Sequence, residues 1–441
     1  MSITISPLDN RYKNKIGKVN KFFSEYDFFR YRVKVEIEYF ISLCKLKLKE
    51  INMENPEILR EIYNNFSMSD YNKIKEIEKE INHDVKSIEY WLREKFTELN
   101  IKHLISFIHF GLTSQDVNNT ALSLSIKEYI NDEYKKSINK LLETLNERIK
   151  EFNNVVMLSH IHGQPGVPTI MGKELNVFKY RIELQLKQLD NIKYYGKFGG
   201  TSGNLNAHKF AYPDIDWIKF GNEYLNDLGL IRSKFTTQID NYDNLSNIFD
   251  CLKRINIICI DMCQDIWLYI SMRYFNQKIK KEDDDTSIIQ HKINPIQFEN
   301  AEGNLGLANS LLEFFSRKLP ISRLQRDFTD STILRNIGVI FGHIELSFNN
   351  INKGLNKLLI NNEKIKEDLN NNYSVITEGI QIILKKNGLN NSYEQLKKIS
   401  RKSGGINKDL IDLFIINLFE EQKINENVKN KIIKLTVEKY I

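Results

Sequence analysis

Long apolar-periodic runs recur along this chain, and they restrict its fold more than any other feature. Residues 26–48 form one amphipathic run. Residues 120–152 form another, with Leu122, Leu124, Ile126, Ile130, Ile138, Leu141 and Leu145 at helical spacing. Residues 174–192, 245–275, 298–319 and 331–358 continue the pattern. A helix of 20 to 30 residues is about 30–45 Å long, enough to cross a whole domain. Only seven prolines and 20 glycines punctuate 441 residues, so little interrupts these helices. The expected fold is all-α, built around a long central helical bundle. The expected division is an N-terminal helical domain at 1–108, a central bundle carrying catalytic loops at 109–358, and a small helical domain at 359–441.

Charge and cysteine usage exclude several classes. The 63 basic residues face 57 acidic ones, a mixed surface rather than a nucleic-acid footprint. The start, Met1-Ser2-Ile3-Thr4-Ile5-Ser6-Pro7, has no basic segment followed by an apolar core, so no secretory signal is expected. The most apolar segment, 255–275, carries Asp261, Asp265 and Arg273 and reads as a buried helix rather than a membrane span. Cys44, Cys251, Cys259 and Cys263 are too few for a disulfide framework and read as core thiols. A cytosolic protein is expected.

The unusual residues gather in short polar connections between the runs. Thr113-Ser114, with Asp116 close behind, stands just ahead of a helix. Its hydroxyls and free N–H groups suit a carboxylate or phosphate, and equally an ordinary helix cap. His160-Ile161-His162-Gly163-Gln164-Pro165 follows the apolar Val155-Val156-Met157-Leu158, a candidate strand. His-x-His after a strand raises metal binding. The chain lacks the strand–helix rhythm of a metal-dependent barrel, so a general acid/base histidine is the expected role, and no metal or other cofactor is expected. In Asp285-Thr286-Ser287-Ile288-Ile289-Gln290-His291-Lys292-Ile293-Asn294-Pro295, Lys292 and Asn294 can grip a carboxylate together. Glu299 is placed to orient a histidine. Arg323, Arg326 and Arg335, among the hydroxyls of Thr329, Ser331 and Thr332, suit a phosphate or carboxylate. Arg11-Tyr12 and Asn82-His83-Asp84 add a cation, a phenol and another histidine. Gly199-Gly200-Thr201-Ser202-Gly203 reads as a glycine turn.

In this order on a long-helix scaffold, the motifs resemble the adenylosuccinate lyases, bacterial type, of the fumarase/aspartase superfamily. The resemblance runs from Ser6-Pro7-Leu8-Asp9-Asn10-Arg11-Tyr12 to about Lys397. It includes His162-Gly163-Gln164-Pro165, Gly172-Lys173-Glu174, Thr236-Thr237-Gln238-Ile239 and Gln325-Arg326-Asp327. It implies an anti β-elimination that releases fumarate from adenylosuccinate and from its imidazole-carboxamide relative, SAICAR. It implies His162 as general acid with His83 as its neighbour, and Thr113, Ser114, Lys292 and Asn294 on the succinyl carboxylates. Arg11, Tyr12, Gln238, Arg326, Ser331 and Arg335 would hold the nucleotide, with Asn82 and Asp84 also in the substrate site. The family loop places its basic serine six positions before the signature lysine. Counting back from Lys292 reaches Thr286, with Ser287 beside it as the alternative. The resemblance also implies a homotetramer whose active sites are each built from three subunits. Another superfamily lyase, such as argininosuccinate lyase, and a catalytically reduced structural paralogue are the competing readings.

Overall fold

The computed structural model describes residues 4–278, 293–402 and 407–441. Helices dominate it, as the periodicity predicts. The main ones are Glu25–Lys45, Asp84–Glu98, Ser114–Tyr129, Lys135–Glu151, Met171–Asn191, Asp243–Ser271, Ile296–Lys318 and Ile337–Leu355. Two details differ from the sequence reading. The run expected at 120–152 begins earlier, at Ser114, and passes through a π-turn at Ile130–Tyr134. The run expected at 331–358 is split into Thr329–Leu334 and Ile337–Leu355. Apolar periodicity registers which face is buried, and both breaks keep that face, so it passes over them.

The chain divides into two compact units. The first comprises residues 1–140, 182–260 and 300–350. Its core forms on the helix Glu25–Lys45, which buries Val33, Val35, Ile37, Ile41 and Leu43. Each such side chain contributes about 1.5–3 kcal/mol by leaving water. Phe40 of this helix meets Phe96 edge-on, with ring centroids 4.9 Å apart. Tyr39 packs among Phe198, Phe220 and Tyr224, and its hydroxyl donates to the Phe110 carbonyl at 2.7 Å. A short parallel pair joins Tyr195–Gly196 to Ile231–Arg232.

A buried ion pair anchors this unit. The Asp116 carboxylate lies 2.8 Å from the Lys197 ammonium, and both side chains are almost wholly buried. Lys197 also donates to the Gly200 carbonyl at 2.7 Å. Asp116 accepts three backbone N–H groups besides, from Thr113 at 2.8 Å, Gly199 at 2.9 Å and Gly200 at 3.1 Å. The glycine turn is therefore real, but its N–H groups cradle an internal carboxylate. Gly203 has φ +80°, and a Cβ there would stand 2.1 Å from the Thr236 carbonyl oxygen, so only glycine fits.

The second unit comprises residues 141–181, 261–299 and 351–441. Its antiparallel hairpin pairs Val156–Ile161 with Gln164–Ile170, so the apolar run before His160 is indeed a strand. The two linking residues, His162 and Gly163, have φ of +54° and +71°. Positive φ at both positions is what a two-residue type I′ turn requires. A second antiparallel pair joins Phe275–Gln277 to Leu358–Ile360. Beyond it, short helices bury Ile365, Leu369, Ile380, Leu384, Ile411, Ile415 and Ile432. All four cysteines are free and buried, as expected of core thiols. Among the described residues, no helix is long and apolar enough to cross a membrane.

Candidate active site

Three separate segments of the first unit, together with Phe28 and Arg32 of the helix Glu25–Lys45, meet around a cavity of about 320 Å³. The first segment is Asn82-His83-Asp84, which joins two helices. Asn82 closes the helix Met68–Ile81 in the left-handed conformation, φ +51°, which asparagine tolerates. His83 caps the helix Asp84–Glu98, its Nδ1 accepting the Lys86 N–H at 3.0 Å. With Nδ1 committed as an acceptor, the neutral ring carries its proton on Nε2, leaving a donor for a ligand. The second segment opens the helix Ser114–Tyr129 and contributes Ser114, Gln115 and Asn118. A helix of 16 residues presents free N–H groups and a positive end there. The third contributes Arg326, Asp330, Ser331, Thr332 and Arg335.

A hydrogen-bonded chain fixes the third segment. Asn119 donates to the Tyr242 hydroxyl at 2.6 Å, and that hydroxyl donates to Asp330 at 2.8 Å. Asp330 accepts the Ser331 N–H at 2.7 Å. Arg326 donates to the Ser331 hydroxyl at 3.2 Å and to the Gln238 side-chain oxygen at 3.3 Å, while its guanidinium lies 4.7 Å from the Phe328 ring centroid. The fully buried Tyr242 thus links the core to the cavity wall.

The cavity lining sets three guanidinium groups, Arg32, Arg326 and Arg335, among three carboxylates, Glu78, Asp84 and Asp330. Arg32 is buried, and its Nη2 donates to Asp84 Oδ2 at 2.9 Å. Burial pushes the Arg32 pKa down. Burial alone would raise Asp84, but Arg32, the Val85 N–H and Arg335 together hold it below the usual carboxylate range. Among the described residues, Arg32 Nε, Arg326 Nε and Asn118 Oδ1 are buried without a hydrogen-bond partner. Cations, amide and hydroxyl groups around a polar cavity can hold an anionic, hydrogen-bonding small molecule.

The structure brings together Asn82, His83, Asp84, Ser114, Arg326, Ser331 and Arg335, all expected from sequence, and ties Gln238 to them through Arg326. Arg11, Tyr12 and Thr113 are not in the cavity lining. Arg11 is exposed, its guanidinium 5.8 Å from the Tyr12 ring centroid. Thr113 instead binds Asp116 through its N–H. His162, Asn294 and Glu299 belong to the second unit. His162 is exposed at the hairpin tip. Glu299 accepts the Trp267 indole N–H at 3.0 Å, so the described residues pair it with an indole where a histidine was expected. Thr286, Ser287 and Lys292 lie outside the described residues. Sequence reasoning missed Arg32, Glu78, Asn118 and Asp330 in the cavity, and Tyr242 behind it. Arg32 sits within a helical run, where an arginine reads as solvent-facing.

Comparison with known proteins identifies the fold and the family. The fold is shared with a fumarate lyase from Mesorhizobium sp. BNC1 at TM-score 0.78 and 14% identity, covering 96% of this chain and 95% of that one. It is shared equally broadly with a β-carboxy-cis,cis-muconate cycloisomerase from Acinetobacter calcoaceticus, at TM-score 0.73. Residues 10–308 match the lyase family model, and residues 322–441 match the adenylosuccinate lyase C-terminal model. Proteins named adenylosuccinate lyase match over nearly their whole length. That of Dictyostelium discoideum is 48% identical, covering 99% of this chain and 96% of its own. That of Escherichia coli is 39% identical, covering 90% and 88%. The chain is thus a carbon–nitrogen lyase with the fumarate lyase fold. Within that class it belongs to the adenylosuccinate lyase family.

Proposed function

We propose that this protein cleaves adenylosuccinate to AMP and fumarate, and SAICAR to AICAR and fumarate, as a cytoplasmic homotetramer. The observation that carries the reading is the 48% identity with an adenylosuccinate lyase over 99% of this chain. The cavity supports it, because its guanidinium groups and the helix end at Ser114 suit a nucleotide bearing a phosphate and two carboxylates. Four buried free thiols suit a reducing compartment.

In the proposed reaction a base takes the succinyl Cβ proton, and the resulting carbanion is held as an aci-carboxylate. The C–N bond then breaks, an acid protonates the leaving nitrogen, and fumarate departs. His162 is the proposed acid, with His83 as its neighbour. Thr113, Ser114, Lys292 and Asn294 hold the succinyl carboxylates. Arg11, Tyr12, Gln238, Arg326, Ser331 and Arg335 hold the nucleotide.

Thr286 is the proposed base, from its six-residue spacing to Lys292. Thr286→Ala is expected to abolish single-turnover proton abstraction, and Ser287→Ala to leave it nearly unchanged. Thr286→Ser is expected to match or exceed the native rate, since the β-methyl stiffens the threonine rotamer. Loss of activity in Ser287→Ala with activity kept in Thr286→Ala would transfer the role to Ser287.

Assembly is supported by exposed apolar side chains on the long helices, including Val177, Tyr180, Leu184, Ile257, Leu268 and Phe314. The protein is expected to sediment as a tetramer at micromolar concentration. A stable, fully active monomer would contradict active sites shared between subunits.

A further inference from the structure

The cavity shares a wall with a second one of about 280 Å³, lined chiefly by Phe22, Phe23, Phe28, Phe29, Leu122 and Ile337. Arg32, Asp84 and Arg335 border both. Their geometry is unequal. Asp84 Oδ2 stands 2.9 Å from Arg32 Nη2 and 3.8 Å from Arg335 Nη2. The first is a hydrogen-bonded ion pair, and the second is beyond hydrogen-bond reach. The Arg32 side chain is 6% exposed and that of Arg335 is 63% exposed. The Arg32 guanidinium lies 4.2 Å from the Phe28 ring centroid and 5.0 Å from that of Phe29, a site a bare cation could occupy only with a counter-ion. The other Asp84 oxygen accepts the Val85 N–H at 2.9 Å, which fixes the carboxylate at its helix end.

We propose that Arg32 is a positioning residue that claims Asp84 as its counter-ion and so leaves Arg335 free for an anionic group of the substrate. Asp84 is within 4 Å of both arginines, while Glu78 in the same wall adds an electrostatic pull on Arg32 and Glu25 interacts with Arg335. Buried Arg32 cannot go unpaired, whereas Arg335 can reach solvent or a ligand. Without Arg32, Asp84 loses its partner, and the long Arg335 side chain needs to move only about 1 Å to bond it. Arg335 would then be neutralised inside the protein and lost to the ligand. The inference rests on the proposed reading of Arg326, Ser331 and Arg335 as the nucleotide's anion site.

The test compares Arg32→Met, which keeps an apolar stem against Phe28, with Arg32→Met/Asp84→Asn. Binding of inorganic phosphate is measured by calorimetry, and KM and kcat by turnover. A charge-assisted contact is worth about 10- to 100-fold in affinity. Arg32→Met is expected to weaken phosphate binding and raise KM by about that factor, with kcat held within about threefold. The double variant is expected to recover most of the phosphate affinity, because the neutral amide that replaces the carboxylate no longer captures Arg335. A role in packing alone would not be relieved by Asp84→Asn. Unchanged phosphate binding in folded Arg32→Met overturns the proposal, and so does a double variant no better than the single one. If Arg32→Met does not fold, Arg32→Lys serves, since its shorter cation holds Asp84 less firmly. A few-fold loss of phosphate affinity is then expected, and none would overturn the proposal. Phosphate binding is read without turnover, so failure of the wild-type protein to cleave adenylosuccinate counts against the function and not against Arg32.

Discussion

His162→Ala is expected to lower kcat by about 10²–10⁴-fold, the usual contribution of a general acid. The fold should survive the change. His162 sits exposed at the tip of the hairpin, in a turn whose positive φ of +54° asks only for a residue that tolerates that conformation. His162→Asn is the stricter variant, because asparagine adopts the left-handed region readily and preserves the turn. Both variants should keep the native helical circular dichroism and the native assembly state. If either turns over at close to the native rate, another group delivers the proton to the leaving nitrogen.

The second large effect falls on stability. Asp116→Ala is expected to cost about 3–5 kcal/mol, the penalty for stranding one member of a buried pair. The Lys197 ammonium would remain in the core without its carboxylate, and the N–H groups of Thr113, Gly199 and Gly200 would lose their acceptor. Burial already pushes the Lys197 pKa down, against the opposing pull of Asp116. Removing Asp116 lowers it further, so the variant's native state favours neutral lysine more strongly than the unfolded chain does. The variant should therefore regain stability as pH rises towards the ordinary lysine range. Urea unfolding midpoints at two pH values measure both effects. An unchanged midpoint would mean that the pair does not anchor the fold. Turnover should fall as well, since Asp116 holds the loop that ends in Thr113 and Ser114.

These two residues mark what the sequence discloses. Asp116 is visible as a capping acid three residues after Thr113, because that relation is local. Its bond to Lys197 joins residues 81 positions apart, and no periodicity encodes that. The glycine turn is legible as a turn, since Gly200 and Gly203 need positive φ, yet the carboxylate it cradles is not. The long helices are legible because one apolar face repeats over many turns. The π-turn at Ile130–Tyr134 is not, because it leaves that face buried. In the cavity, local chemistry pointed to Ser114, Arg326 and Ser331 segment by segment. Their meeting was implied only by the resemblance to a known family. Arg32 and Tyr242 carry no motif, and only the packed structure reveals them.

The most direct test is purified protein incubated with adenylosuccinate and followed by ultraviolet absorbance, with fumarate and AMP quantified at the end. The expected result is one fumarate and one AMP for each adenylosuccinate consumed, with SAICAR cleaved in the same way. A folded protein that releases no fumarate from either substrate, or that cleaves argininosuccinate instead, would contradict the proposed function.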